Sequence, residues 1–240
     1  MTDPFRHHPN LRDKIKPPAD SFFRSITTEA VRAMLAERGI EDRFPFHSDA
    51  ERERLRRAAL QGHDGDLLVF AYGSLLWDPA LLFSEVRRAH APHHARRFIL
   101  VDTYGGRGTE AAPGLMAALD AGAGCDGLVF RIPRETVDRE TEILFRREMI
   151  GPGYDARFVP VCIDAPQPDA RALTFVADHD DPLMRPDITR AEQVRFAASG
   201  EGFLGTSHAY LCSTVAHLAE LGIEDADASA LLAEVEAARA

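Results

Sequence analysis

The chain has 240 residues, 45% hydrophobic and 28% charged, the balance of one sizeable globular domain able to bury a full core. Its net charge of −10, from 28 basic and 38 acidic residues, argues against a nucleic-acid surface but leaves room for a small anionic ligand held by local donors. Cys125, Cys162 and Cys212 are too few and too scattered for a disulfide framework or metal cluster, so a reducing cytoplasm is expected. The opening Met-Thr-Asp-Pro has no basic start and no apolar stretch, which predicts no signal peptide, and no run is long enough to span a membrane.

In chain order, residues 1–20 are polar and carry Pro17-Pro18, which predicts a loosely ordered or surface-wrapped segment. Thr28 followed by Val31, Met34 and Leu35 fits a short amphipathic helix ending near Gly39. Ser48-x-x-Glu51 is a capping box that opens a charged helix running to about Leu60, with "ERERLRR" as its solvated face. "QGHDGD" is a connector. Residues 1–65 thus read as a partly helical N-terminal extension beside a core domain of residues 66–240.

From residue 66 short apolar runs alternate with turns. Strands are predicted at 67–72, 95–101, 114–119, 125–132, 157–163 and 171–177, with a hairpin around Ala121-Gly122-Ala123-Gly124. Helices are predicted at 79–88, 136–149, 189–199, 207–221 and 228–238, the first with Asp78 as N-cap and Pro79 at its opening position. Consecutive strands without an intervening helix exclude a regular doubly wound sheet. The expected class is α+β: a mixed, largely antiparallel sheet, curled into a small β-barrel and flanked by helices.

Several motifs fail on context. Gly106-Arg107-Gly108 with Ala111 matches a dinucleotide fingerprint, but Ala112-Pro113-Gly114 follows and no helix opens to receive a pyrophosphate. His90, His93 and His94 have no second cluster to complete a metal shell and read as surface histidines. Ser74 sits in no nucleophile elbow.

Glu148 is different. In "ETVDRETEILFRREMIGPG" the apolar stripe Val137, Thr141, Leu144 and Phe145 carries on to residue 148, placing a carboxylate on the buried face of a helix. It also falls in the last turn, where the helix dipole disfavours an anion. Both effects push its pKa toward the range of a general base, while a buried Glu-Arg pair that holds the helix down remains the structural alternative.

The stretches "FAYGSLLWDP", "RGT", "PGLMAALD", "GCDGLVFRIP", "LFRREMIGPGYDARFVPV" and "GFLGTSHAYLCSTVAHLAELGIED" stand in an order that resembles the ChaC branch of the γ-glutamylcyclotransferases, over roughly residues 66–225. The resemblance implies a lyase that needs no cofactor and cleaves its small-molecule substrate, glutathione, into 5-oxoproline and cysteinylglycine. Residues 66–240 would be its catalytic domain. It further implies Glu148 as the catalytic acid–base, with Tyr72, Gly73, Ser74, Leu75, Leu76, Trp77 and Tyr154 binding the substrate. Pro152, Ser207 and Ala209 depart from the family's usual residues. Two other readings stay open at this point: cyclisation of another γ-glutamyl amine or peptide, and a non-catalytic binding or regulatory protein on the same fold.

Overall fold

The computed structural model describes residues 2–37, 39, 44–163 and 165–240. Among them the helices are α1 (Phe22–Ser25), α2 (Thr28–Ala36), α3 (Asp49–Ala59), α4 (Val137–Glu148), α5 (Arg190–Ser199), α6 (Ser207–Glu220) and α7 (Ala226–Arg239). The main strands are β1 (Leu67–Ala71), β2 (Glu85–Ala91), β3 (His94–Tyr104), β4 (Thr109–Ala121), β5 (Cys125–Ile132), β6 (Tyr154–Val161) and β7 (Ala170–Ala177).

These strands form one mixed sheet in the order β2-β5-β1-β7-β4-β3, with β6 branching off β7. β1–β5, β2–β5, β3–β4 and β6–β7 are antiparallel, whereas β7 runs parallel to both β1 and β4. β1 is central, which explains its near-continuous apolar sequence: a strand covered on both faces needs no polar alternation. Helix α4 lies on the sheet through Leu144 and Phe145, the latter edge-on to Phe175 of β7 with ring centroids 5.4 Å apart.

The fold class stands as expected, with one correction: the sheet does not close into a barrel. β7 has three partners, so the sheet forks there instead of curling round, and a lone bridge between His90 and Cys162 brings the β2 and β6 sides together.

The helix predicted at 79–88 is also absent. Ala80 takes φ +59°, a conformation no right-handed helix passes through. Its would-be cap, the Asp78 carboxylate, is engaged by Lys16. Residues from Glu85 onward form β2 instead, and Glu85 lies opposite Arg131 of β5 with Oε2 2.9 Å from the guanidinium Nε.

The turn at Ala121-Gly122-Ala123-Gly124 joins β4 to β5, but these strands do not pair as a hairpin, because both edges of β5 are taken by β1 and β2. The long hairpin is β3–β4 across residues 105–108. Of the segment expected to wrap the surface, residues 2–20 are described, and they insert Leu11 and Ile15 into the main core. No helix among the described residues is long and apolar enough to cross a membrane.

Candidate active site

The end of β1 opens into a cavity of about 500 Å³, within the usual range for small-molecule pockets. Because β1 is locked between β5 and β7, the loop after it is fixed at its root. Ser74–Leu76 make one 3-10 turn, with the Leu76 amide donating to Gly73 O at 2.9 Å and the Asp78 amide to Ser74 O at 3.0 Å. The opening amides of such a turn have no earlier carbonyl within it to bond, so Ser74 and Leu75 can offer N–H groups to a ligand.

Seven of the eight residues singled out for the site line this cavity: Tyr72, Gly73, Ser74, Leu75, Trp77, Glu148 and Tyr154. Leu76 does not. It is fully buried in the main core, because a one-turn 3-10 segment must face one side chain inward to hold the loop down. Trp77 is braced by His217 of α6, stacked at a centroid distance of 4.4 Å.

Helix α4 delivers Arg147 and Glu148 together. Arg147 Nε lies 2.7 Å from Glu148 Oε1, its Nη2 donates to Ser74 Oγ at 2.8 Å, and its Nη1 donates to the carbonyl of Asp78. One guanidinium therefore ties the helix end to the β1 loop. Burial raises the Glu148 carboxyl above the ordinary carboxylate range, and Arg147 pulls the other way.

Three phenols surround this pair. Tyr72 directly follows β1, Tyr154 starts β6 with its hydroxyl 3.4 Å from Ala117 O, and Tyr210 comes from α6 and accepts from the Ala117 amide at 3.4 Å. Burial holds all three well in their neutral form, with the nearby Glu148 adding to the effect at Tyr72 and Tyr154. Gly73 faces Tyr210 across open space: a Cβ there would meet the Tyr210 hydroxyl at 4.0 Å and nothing closer.

A second arginine completes the lining. Arg107, in the loop between β3 and β4, lies over the Tyr210 ring at 4.8 Å and donates to Leu204 O at 2.8 Å. The loop is held by Asp102, whose carboxylate accepts from the amides of Tyr104 (2.8 Å), Gly108 (3.1 Å) and Arg107. Asp78 lines the cavity as well. Its Oδ2 is 2.9 Å from Lys16 Nζ, while its buried Oδ1 has no hydrogen-bond partner among the described residues.

The pairing of Glu148 with Arg147 was open in the sequence pattern, whereas Asp102 was not singled out and Arg107 was named only in the rejected fingerprint and the "RGT" motif, with no part in the site. Tyr210 stood within a quoted motif without being assigned a part. Phe23, Ile26, Val31 and Phe44, from the N-terminal segment, also line the cavity; Val31 was read as an apolar helix position, and no local pattern gave any of the four a place in the site.

His90, His93 and His94 do not converge; His90 pairs with Asp126 at 2.7 Å. Among the described residues one group of three potential metal ligands, His208, Cys212 and Glu236, lies on α6 and α7 outside the cavity lining.

The model of the ChaC-like protein family matches residues 67–238. The glutathione-specific gamma-glutamylcyclotransferase of Escherichia coli K12 is 35% identical over 179 residues, which is 74% of this chain and 76% of that protein. The human glutathione-specific gamma-glutamylcyclotransferase 1 is 33% identical over 62% of this chain and 69% of its own length. A crystal structure of the glutathione-specific γ-glutamyl cyclotransferase from yeast superposes with a TM-score of 0.65 at 22% identity, covering 73% of this chain and all of that one. That last likeness bears on fold alone.

Proposed function

The chain belongs to the ChaC-like family, and from that premise we propose that it cleaves glutathione by cyclising the γ-glutamyl unit, releasing 5-oxoproline and cysteinylglycine. The observation that carries the reading is the meeting of Ser74, Arg147 and Glu148 in one cavity beside three neutral phenols.

The reaction suits a site without a nucleophile of its own. The α-amine of the γ-glutamyl unit attacks its own side-chain carbonyl, the new C–N bond closes a five-membered lactam, and the old amide C–N bond breaks. Glu148 takes the proton released by the amine and returns one to the departing cysteine nitrogen. A carboxyl raised by burial but paired with an arginine can do both. Intramolecular attack in a near-attack geometry can supply about 7–11 kcal/mol, and acid–base help roughly a further 10²- to 10⁴-fold.

Binding follows the charges. The substrate is anionic although the protein carries −10 overall, and Arg107 and Arg147, the cationic side chains of the lining among the described residues, support its capture there beside the carboxylates of Asp78, Asp102 and Glu148. Tyr72, Gly73, Ser74, Leu75, Trp77 and Tyr154 form the wall for the γ-glutamyl part, with the Ser74 and Leu75 amides as donors to its carboxylate or carbonyl oxygens. Leu76 contributes by anchoring the turn from below. The absence of nucleic-acid partners and a cytoplasmic setting complete the reading; three unpaired cysteines support a reducing compartment.

Purified protein incubated with glutathione is expected to yield 5-oxoproline and cysteinylglycine in equal amounts. Glu148→Gln should abolish both products while leaving the circular-dichroism spectrum unchanged. An active Gln variant rules out the role given to Glu148. Equal turnover of γ-glutamylalanine shifts the substrate assignment to γ-glutamyl peptides at large.

A further inference from the structure

The N-terminal segment lies outside residues 67–238, yet it reaches the site through a chain of specific contacts. It first staples the β1 loop: the Lys16 amide donates to Trp77 O at 2.8 Å, and Lys16 Nζ lies 2.9 Å from Asp78 Oδ2. It then clamps α4. Arg24 forms a two-pronged pair with Glu140, Nη1 to Oε2 at 2.5 Å and Nη2 to Oε1 at 2.9 Å, and its Nη1 also donates to Ala80 O at 2.8 Å. The Glu140 side chain is fully shielded from solvent, and its Oε2 accepts the Leu82 amide as well. Arg146, next to Arg147 on α4, donates to Arg24 O at 3.2 Å.

This anchor carries Phe23 over the active-site arginine. The Arg147 guanidinium carbon is 4.2 Å from the Phe23 ring centroid. The edge of that guanidinium is already committed to Glu148, Ser74 and Asp78. A planar cation engaged on its rim has only its faces left, and Phe23 covers one of them. The result is an arginine side chain only 3% exposed beside an open cavity. Ile26, Val31 and Phe44 continue the wall past Phe23, and Phe44 packs against Gly151, where a Cβ would sit 2.9 Å from its ring.

We propose that Phe23 is a positioning residue of this active site, its ring capping Arg147 and so holding the Arg147–Glu148 pair in working geometry. The proposal rests on Glu148 being the acid–base. A ring on the guanidinium face attracts the cation and excludes water, and both effects strengthen the contacts in its plane. The ionisable groups that share the cavity with Glu148 are Tyr72 just after β1, Tyr154 of β6 and Tyr210 of α6, with Asp102 near the end of β3 and Arg107 of the β3–β4 loop, and its charge is felt at Tyr72 and Tyr154. Asp78 is tied to Lys16 on the far side of the loop.

The test compares wild type with Phe23→Ala and Phe23→Tyr in the full chain. Two readouts are followed: the pH dependence of kcat/KM on glutathione, and the titration of the Glu148 carboxyl by ¹³C NMR, assigned with Glu148→Gln. Phe23→Ala is expected to lower kcat/KM about tenfold, the scale of a shielded cation–ring contact. It should also move the Glu148 titration and the acid limb to higher pH, since a loosened Arg147 no longer pulls this group down. Phe23→Tyr keeps the ring and should match wild type in both. Unchanged titration in Phe23→Ala, or equal damage from Phe23→Tyr, overturns the proposal. Wild type that fails to turn over glutathione would instead overturn the proposed reaction, and the NMR titrations would still decide the place of Phe23.

Discussion

The guanidinium of Arg147 and the carboxylate of Glu148, neighbours in sequence at the end of α4, meet at 2.7 Å inside the cavity. Adjacent helical residues normally diverge, and these two converge because Arg147 is also drawn to Ser74 and to the carbonyl of Asp78. Arg147→Lys keeps the charge but offers a single nitrogen for three acceptors lying in different directions. Losing the charge-assisted bond to the loop after β1, proposed above as a substrate wall, should lower kcat/KM by about 10- to 100-fold, mainly through KM. The acid limb should move to higher pH, because the fork that holds Glu148 down is gone. Steady-state kinetics across pH checks both, and an unaltered KM would show that Ser74 needs no such support.

Glu148 should tax the fold it serves. Its carboxyl titrates near 4.5 when unfolded and higher in the native protein, because burial outweighs Arg147. Below both values the two states hold the same proton and stability is unaffected. As pH rises through the window between them, the unfolded chain gives up its proton first, so wild type loses stability. Glu148→Gln mimics the protonated acid and escapes this loss. The melting temperature of Glu148→Gln should equal that of wild type near pH 4 and exceed it increasingly toward pH 7. A gap that stays constant with pH would mean the carboxyl is not raised by folding.

Much of this site could be read in the chain because local physics decides it. Val137, Thr141, Leu144 and Phe145 bring α4 onto the sheet, and that spacing alone orients residue 148 inward. β1 was legible as the most apolar strand, and the loop after it as the exception to its packing. β2 was not legible, because Glu85, Arg87 and Arg88 look like a solvated helix until Arg131 of β5 is known to lie opposite Glu85. The open sheet and the fork at β7 depend on pairings between strands far apart in sequence, and no local period encodes them. The wall made by Phe23, Ile26, Val31 and Phe44 was hidden for the same reason: what it covers, Arg147 and Gly151 above all, stands far downstream in the chain.

The glycines that looked like a dinucleotide loop make a close-packed backbone junction instead. A Cβ on Gly108 would fall inside the van der Waals envelope of the Gly114 amide and of Asp102 O, and Gly200 packs against Gly114 from the other side. Backbone cannot step aside as a side chain can, so Gly108→Ala should cost about 2–3 kcal/mol of stability. Because the same loop carries Arg107 into the cavity, activity at temperatures below the melting transition should fall too. Chemical denaturation with a parallel activity assay checks this; a wild-type midpoint would show that the junction has slack.

Arg24 and Glu140 offer the most direct measure of how tightly the N-terminal segment is bound into the catalytic unit. Removing Arg24 leaves a fully shielded carboxylate that keeps, among the described residues, the Leu82 amide as its one donor. Breaking a buried pair from one side is the expensive way to break it, about 3 kcal/mol, whereas taking both charges away is far milder. Arg24→Met should therefore destabilise the protein strongly, and Arg24→Met combined with Glu140→Met should recover most of the loss. If the segment is integral to the fold, each variant will melt in a single transition that includes residues 21–36. If Arg24→Met instead leaves the global melt untouched while hydrogen exchange rises only across residues 21–36, the segment is a separately unfolding strap over a self-sufficient domain. That outcome would also predict that Arg24→Met reproduces the kinetic defect of Phe23→Ala, since a detached segment no longer covers Arg147.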